Sequence, residues 1–353
     1  MATPVYPGQF NTYVESVEAT QNMLVDFSRN PSRFALPQYV QYVPVSLNKG
    51  LYTRMTIEQA GRLLTPDGAD ALWADGTDAP RHTGTNESFT FEKYVCKRYV
   101  DGFEVGNDAA EQASWDLLAQ SARITAQRAM TRRTNIVVSQ MTNLANYAAD
   151  KEFDVDSAPI SLAGKLDAAL STNMDLKRTL DYCALNITKD VLSAVQPSDI
   201  QFVMNPVTAN ALSNSQEIRD YLKQNTTSFQ MIEGAKYTNA ENYGLPPKLY
   251  GYNIVVEDAV KVTGKKGAAS IVKDYCLADG QIVVTSRVGG LEGVEGAQSF
   301  STWQVFFKEE MIVESKNDAD NKRNVGRIID YYDVQQVSPL TGMIIYNAIT
   351  GTP

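Results

Sequence analysis

Residues 107–147 read NDAAEQASWDLLAQSARITAQRAMTRRTNIVVSQMTNLANY. The stretch holds no proline or glycine, and Trp115, Leu118, Ala122, Ala126, Ala129, Ile136 and Leu144 recur at the spacing of one helical stripe. Asp108 followed by Glu111 has the form of an N-cap with an acid at N3. The pattern predicts one helix over 107–147. At 1.5 Å per residue it spans about 60 Å, longer than the radius of a domain this size, so it must run through the molecule as a backbone.

What surrounds this helix differs on its two sides. Upstream, FTFEKYVCKRYVDGFEV (89–105) alternates apolar or β-branched residues with charged ones, the period of a strand exposed on one face. LYTRMTIEQAGRLL (51–64) fits a strand or a helix. Between them, TPDGADALWADGTDAPRHTGTNES (65–88) is dense in Gly, Pro, Asp, Asn and Thr and reads as a long loop. Residues 46–105 are therefore expected to form a two-stranded excursion with an acidic tip. A ribbon of two strands is marginal alone and needs another element or another chain. Residues 1–45 lack a sustained period and read as an extended arm with one short helix near 14–27.

Downstream, DLKRTLDYCALNITKDVLSAV (175–195) is helical in pattern, with Leu176, Leu180, Cys183, Ile187, Val191 and Val195 as its apolar positions. Short apolar runs follow at 200–204, 252–256, 269–272 and 281–288, with a helix expected over 206–224. In FVMNPVTANAL (202–212), Asn205 is placed to cap that helix, Pro206 takes its first position, and Leu212 can pack back on a sheet. Three further strands are expected in STWQVFFKEEMIVES, VGRIIDYYDVQQVS and GMIIYNAI. The alternation gives an α+β chain with a central sheet.

Composition narrows the function. The chain has 353 residues, 43% of them hydrophobic and 21% charged, enough for a sizeable core. A net charge of −9 supplies no global field to draw it onto nucleic acid or an anionic membrane, so such contacts must be local. Cys96, Cys183 and Cys276 are spread along the chain with no C-x-x-C spacing, which suits packing thiols in a reducing compartment. The N-terminal stretch has no basic segment followed by an apolar one, and no long apolar run occurs, so cytoplasmic folding without a membrane partner is expected.

Chemical motifs are sparse. His82, the single histidine, lies in the polar loop with no cue tying it to a nucleophile or a metal, and reads as solvated. VTGKKGAAS (262–270) has the wrong spacing for a phosphate loop, and VGGLEGVEG (288–296) puts acids where a phosphate wants amides. Asp67, Asp70, Asp75 and Asp78 lack the spacing of a calcium loop and suit solvation or pairing with basic groups of a neighbour. Arg123, Arg128, Arg132 and Arg133 cluster on the long helix. Arg128 and Arg132 share a face that either contacts phosphates or is simply solvated. No catalytic, metal or cofactor residue is predicted.

The order of these parts resembles the tailed-phage major capsid proteins of the Hong Kong 97 type, over nearly the whole chain. At residue level the likeness is strongest in IQFVMNPVTANALSNSQEIRDYL (200–222), YGYNIVVEDAV (250–260) and LADGQIVVTSRVGG (277–290). The resemblance implies an N-terminal arm (1–45), an extended loop (46–105), a spine helix with the first part of the peripheral domain (106–184), an axial domain (185–295) and C-terminal peripheral-domain strands (296–353). It implies hexamers and pentamers tiling an icosahedral virion shell around double-stranded DNA, assembled in a host cytoplasm, with a portal as partner. DNA would be touched without sequence specificity, at Arg128 and Arg132 if anywhere.

Some members of that family join a loop lysine to a neighbour's asparagine, but this chain has no lysine from Gly50 to Glu92. A noncovalent shell is expected instead. Its contacts would involve Asp67, Asp70, Trp73, Asp75 and Asp78 of the loop tip and Lys316, Lys322 or Arg323 of an adjacent subunit. No long charged helical extension precedes the arm, which implies a separate scaffolding protein or none. Three other readings remain: an encapsulin-like compartment, an α/β enzyme built on 200–295, and a β-rich tail protein that the long helix disfavours.

Overall fold

A computed structural model describes residues 34–55, 75, 89–113, 116–157, 165–167, 175–223, 243–264, 270–287 and 301–350. The expected helix near 14–27 and nearly all of the 65–88 loop, His82 included, lie outside these residues. In chain order the elements are α1 (Leu36–Tyr39), β1 (Gln41–Pro44), β2 (Lys49–Met55), β3 (Phe89–Val95), β4 (Lys97–Gly106), α2 (Asn107–Gln112) and α3 (Leu117–Met141). Next come β5 (Glu152–Asp154), α4 (Asp175–Asp190), β6 (Ile200–Met204), α5 (Pro206–Ser213), α6 (Gln216–Lys223), β7 (Lys248–Leu249) and β8 (Tyr252–Val256). The last are β9 (Val260–Val262), β10 (Lys273–Tyr275), β11 (Ile282–Ser286), β12 (Trp303–Asp318), β13 (Arg323–Gln336) and β14 (Met343–Tyr346).

Two sheets organise the chain. A mixed six-stranded sheet runs β5-β14-β11-β6-β8-β7, and a second of four strands runs β1-β12-β13-β4. The six-stranded sheet is apolar on both faces, which is why its strands read as unbroken apolar runs. Phe202, Met204, Ile254, Val256, Ile282, Val284, Met343 and Ile345 face one core, with Leu176, Leu180, Cys183 and Ile187 of α4 and Ala209 and Leu212 of α5. Their alternating neighbours Val203, Val255, Val283 and Ile344 face the other, with Val137, Val138 and Met141 of α3 and with Trp303 and Tyr332 of the four-stranded sheet. This second core joins the two sheets through α3.

The long helix departs from the single rod expected. The stretch 107–147 holds α2, with extended backbone at Ala113 after it, the 25-residue α3 of about 37 Å, with extended backbone at Asp116 before it, and a 3-10 turn at Leu144–Asn146. The capping acid is Asp116, whose carboxylate accepts from the Ala119 N–H at 2.9 Å, whereas Asp108 sits inside α2. The buried stripe is also displaced: it comprises Thr125, Ala129, Arg133 and Val137, flanked by Met130, Thr134, Val138 and Met141, while Leu144 is exposed.

Arg133 is completely buried at the centre of that stripe. Its guanidinium donates to both oxygens of Asp330 on β13, at 3.0 and 2.6 Å, and to Glu310 on β12 at 2.7 Å. It lies between the rings of Tyr42 (5.5 Å) and Tyr332 (5.3 Å). Burial works against the charge, but the bonds to Asp330 outweigh it and push the guanidinium further up. Burial likewise pushes the Asp330 carboxyl up, and the hydrogen bonds and charge of Arg133 pull part of that back.

Three smaller differences have local causes. The helix expected over 206–224 is broken at Asn214–Ser215 into α5 and α6. Glu217 of α6 then turns its carboxylate onto the N–H groups of Leu176 and Lys177 at the start of α4, at 2.8 and 3.1 Å, where the helix dipole favours an anion. The strand expected at 269–272 forms instead at β10, paired antiparallel with β9, and Ile271 and Val272 stay exposed. The strand expected over 89–105 is cut at Cys96, and its two halves enter different sheets.

Replacing Arg133 by Met should lower stability by about 3–5 kcal/mol, because Asp330 is left buried and unpaired. The double replacement R133M/D330L should recover most of that loss; guanidinium denaturation of the purified chain measures both.

Candidate assembly surfaces

The ribbon β2–β3 is fixed on its inner face and open on its outer one. Tyr52 and Tyr94 stack on Phe306 of β12, with ring centroids 5.5 and 4.8 Å away. Gly50 lies opposite Tyr94 in the ladder, where a Cβ would collide with the phenol ring. The Val95 N–H donates to Asp333 at 2.8 Å, closing the base. On the other face Leu51 is 67% exposed and Phe91 69%, two large apolar side chains with no cover among the described residues. Beyond Met55 and before Phe89 only Asp75 is described, as an exposed turn residue; Asp67, Asp70, Trp73 and Asp78 lie outside the described residues.

The second surface is the long hairpin β12–β13, with β4 along its far side. Lys316 is exposed on β12, and Lys322 is exposed in the turn with φ 46°. Arg323, expected to serve a neighbour, is held within the chain by Glu104 at 2.7 Å and by Asp318 at 3.1 Å. Hydrogen bonds from Asn321 and Arg323 hold the Asp318 carboxyl below its usual range. Gly326 faces Phe103 across the β13–β4 ladder, and the ring fills the space a Cβ would need.

The pair proposed to face DNA is used locally. Arg128 and Arg132 both bind Asp101 of β4, Arg128 at 3.2 Å, and Arg132 also lies over the Tyr99 ring at 5.4 Å. Arg128 keeps 57% of its side chain in solvent. One carboxylate thus offsets part of the charge this face was expected to offer.

The Asn-Pro corner at 205–206 is built from groups that satisfy one another. Asn205 accepts from the Thr208 N–H at 2.8 Å and donates to the Leu277 carbonyl at 3.3 Å and to Asp279. Thr208 in turn accepts from the Gly280 N–H at 2.9 Å. The corner ties β6 and α5 to the turn before β11, and its side chains are spent on that task. Among the described residues no group of three His, Cys, Asp or Glu side chains is placed to hold a metal, and no helix is long and apolar enough to cross a membrane.

Sequence reasoning missed the apolar parts of both surfaces. The available signals were Phe91 placed two residues from Lys93, and Ile312–Val313 inside the otherwise polar run KEEMIVESKND.

No family model matches the chain, and no curated protein is similar to it in sequence. Solved structures do match. A phage-related protein from Bordetella bronchiseptica superposes with a TM-score of 0.60 at 13% identity, over 91% of this chain and 94% of that one. The capsid of the cyanophage P-SCSP1u gives 0.56 at 13% identity, over 98% and 96%. The fold is that of phage capsid proteins. The SrpI encapsulin of Synechococcus elongatus shares this capsid fold, with a TM-score of 0.52 at 11% identity over 99% of both chains. Each match covers more than nine-tenths of both chains, so the likeness is not confined to one part of this chain.

Gly326→Ala should destabilise the chain by about 1–3 kcal/mol through overpacking against Phe103. Adding Phe103→Leu should recover part of the loss; thermal unfolding of the dissociated chain reads both.

Proposed function

We propose that this chain is the major capsid protein of a tailed phage, assembling as hexamers and pentamers into an icosahedral shell around double-stranded DNA, on the Hong Kong 97 plan. The observation that carries the reading is the match to phage capsid chains, over more than nine-tenths of both chains. The surfaces agree with it. Leu51 and Phe91 of the ribbon, and Ile312 and Val313 of β12, leave apolar surface in solvent that a neighbouring chain would cover. Burial among many copies supplies by mass action what the single chain lacks.

In this reading the loop-tip acids Asp67, Asp70, Asp75 and Asp78, with Trp73, meet Lys316 or Lys322 of an adjacent subunit. Arg323 is the weaker partner because Glu104 and Asp318 already hold it. A portal and a separate scaffolding protein would complete assembly in the host cytoplasm. Of Arg128 and Arg132, Arg128 is the better placed to touch DNA, since it is the more exposed.

The encapsulin match supports a second reading, a shell that encloses a cargo protein. Particles purified after expression in a phage-infected host should carry DNA in the first case and an enzyme in the second.

At high concentration the purified protein should form hexamers, pentamers or shells tens of nanometres across in negative-stain images. A chain that remains monomeric there overturns the reading. Because no lysine lies between Gly50 and Glu92, boiled particles should run on SDS gels as one band near 38.9 kDa; a ladder of covalent oligomers overturns the noncovalent shell.

A further inference from the structure

The outer edge of β12 is covered along only part of its length. β1 pairs with it in parallel from Gln304 to Phe307, and the Val45 N–H adds a bond to the Phe307 carbonyl at 2.9 Å before the chain turns away. Register shifts then interrupt β12 between Phe307 and Ile312, with Met311 at φ 47°. Beyond them Ile312–Asp318 pairs regularly with Arg323–Ile329 on its inner side, and no described strand lies on its outer side. Residues 312–317 are all exposed, Ile312 at 42% and Val313 at 56%. An open strand edge of this length is a template for another strand.

The order of side chains on this edge is self-complementary. If a second copy lies antiparallel with Ser315 opposite Ser315, then Glu314 falls opposite Lys316 and Lys316 opposite Glu314, and Val313 meets Asn317. Directly opposed residues share a face, so the two charge pairs form on one side of the new ladder. Glu314 now has an exposed partner, Arg327 at 2.6 Å in the same chain, which can be shared at little cost. Ser315, at the centre of the contact, is small and exposed, and its partner on the inner side is Gly326 of β13.

We infer that two copies of this chain pair through their β12 edges, antiparallel about a two-fold axis at Ser315, with reciprocal Glu314–Lys316 contacts. Such an interface is isologous: each copy gives and receives the same surface. The inference rests on the shell reading for its setting, but its geometry is local to 312–318. A lysine on an edge strand also serves to repel other strands. In this register, however, the partner's Glu314 neutralises it.

The deciding experiment is disulfide trapping of Ser315→Cys. Opposed residues of an antiparallel ladder have Cα atoms about 4.5–5.5 Å apart, within disulfide reach. The native thiols give little background, because all three are buried and burial pushes Cys183 and Cys276 up to about 12. With oxidised glutathione the S315C chain should form covalent dimers. Asn317→Cys should not, since two copies of residue 317 lie about 13 Å apart in this register. Adding Lys316→Glu to S315C should cut the dimer yield roughly fivefold by opposing like charges, and the swap E314K/K316E should restore it.

S315C chains that stay monomeric, equal trapping at 315 and 317, or a yield indifferent to K316E each overturn the pairing. Shells that form without S315C dimers overturn this inference and leave the shell reading standing. Specific dimers from a chain that builds no shell uphold the pairing and remove the shell reading.

Discussion

Arg133 is the constraint on which the rest of the subunit depends. It stands on α3, its carboxylate partners on β12 and β13, and its stacking rings on β1 and β13. A charge fully removed from water is tolerable only when its donors are met, and here three of its N–H groups reach carboxylate oxygens. The geometry that satisfies it sets the distance and rotation of the helix against the four-stranded sheet. The surrounding apolar contacts of Val137, Val138, Met141, Trp303 and Tyr332 favour burial without specifying register. A buried ion pair adds little net stability over a well-packed apolar substitute, but misplacing it is costly. The triad therefore selects one packing among several that the apolar residues would accept.

The same residue explains what could and could not be read along the chain. The six-stranded sheet was legible because its strands are apolar on both faces, and Ile200–Met204 and Tyr252–Val256 coincide with the apolar runs. The Asn205-Pro206 corner was legible because capping is local chemistry. The buried stripe of α3 was not, because a charged residue occupies its centre and its partners lie about 180–200 positions away. Periodicity alone favoured the alanines and shifted the stripe. The restart at Asp116 was hidden for a related reason: Asp116 caps a new helix, yet in sequence it looks like one more polar position on a long one.

Strand partners were less legible than strands. Residues 89–105 read as one strand, and only the fold shows that Cys96 divides a ribbon strand from a sheet strand. The thiol lies buried beside Phe306, and its N–H donates to the Asn48 carbonyl at 2.8 Å. On the exposed surfaces, charged residues can be told from sequence by type and apolar ones cannot. Lys316 and Lys322 stand out by type, and both are exposed. Leu51, Phe91, Ile312 and Val313 look like ordinary core positions until the sheets assign them outward-facing places.

Both exposed surfaces begin where the second core ends. β12 is buried from Trp303 to Phe306, where β1 flanks it and Tyr52 and Tyr94 stack on Phe306. It emerges into solvent after the irregular stretch between Phe307 and Ile312, beside the point where Glu310 reaches Arg133. The ribbon departs from the same place, with Tyr94 and Val95 held against Phe306 and Asp333. One strand thus links the buried core to both exposed surfaces. A bulge is a usual device for turning a strand out of its sheet. Here it falls just past the last position where a described strand covers the outer edge of β12, and beyond it no described strand pairs with that edge.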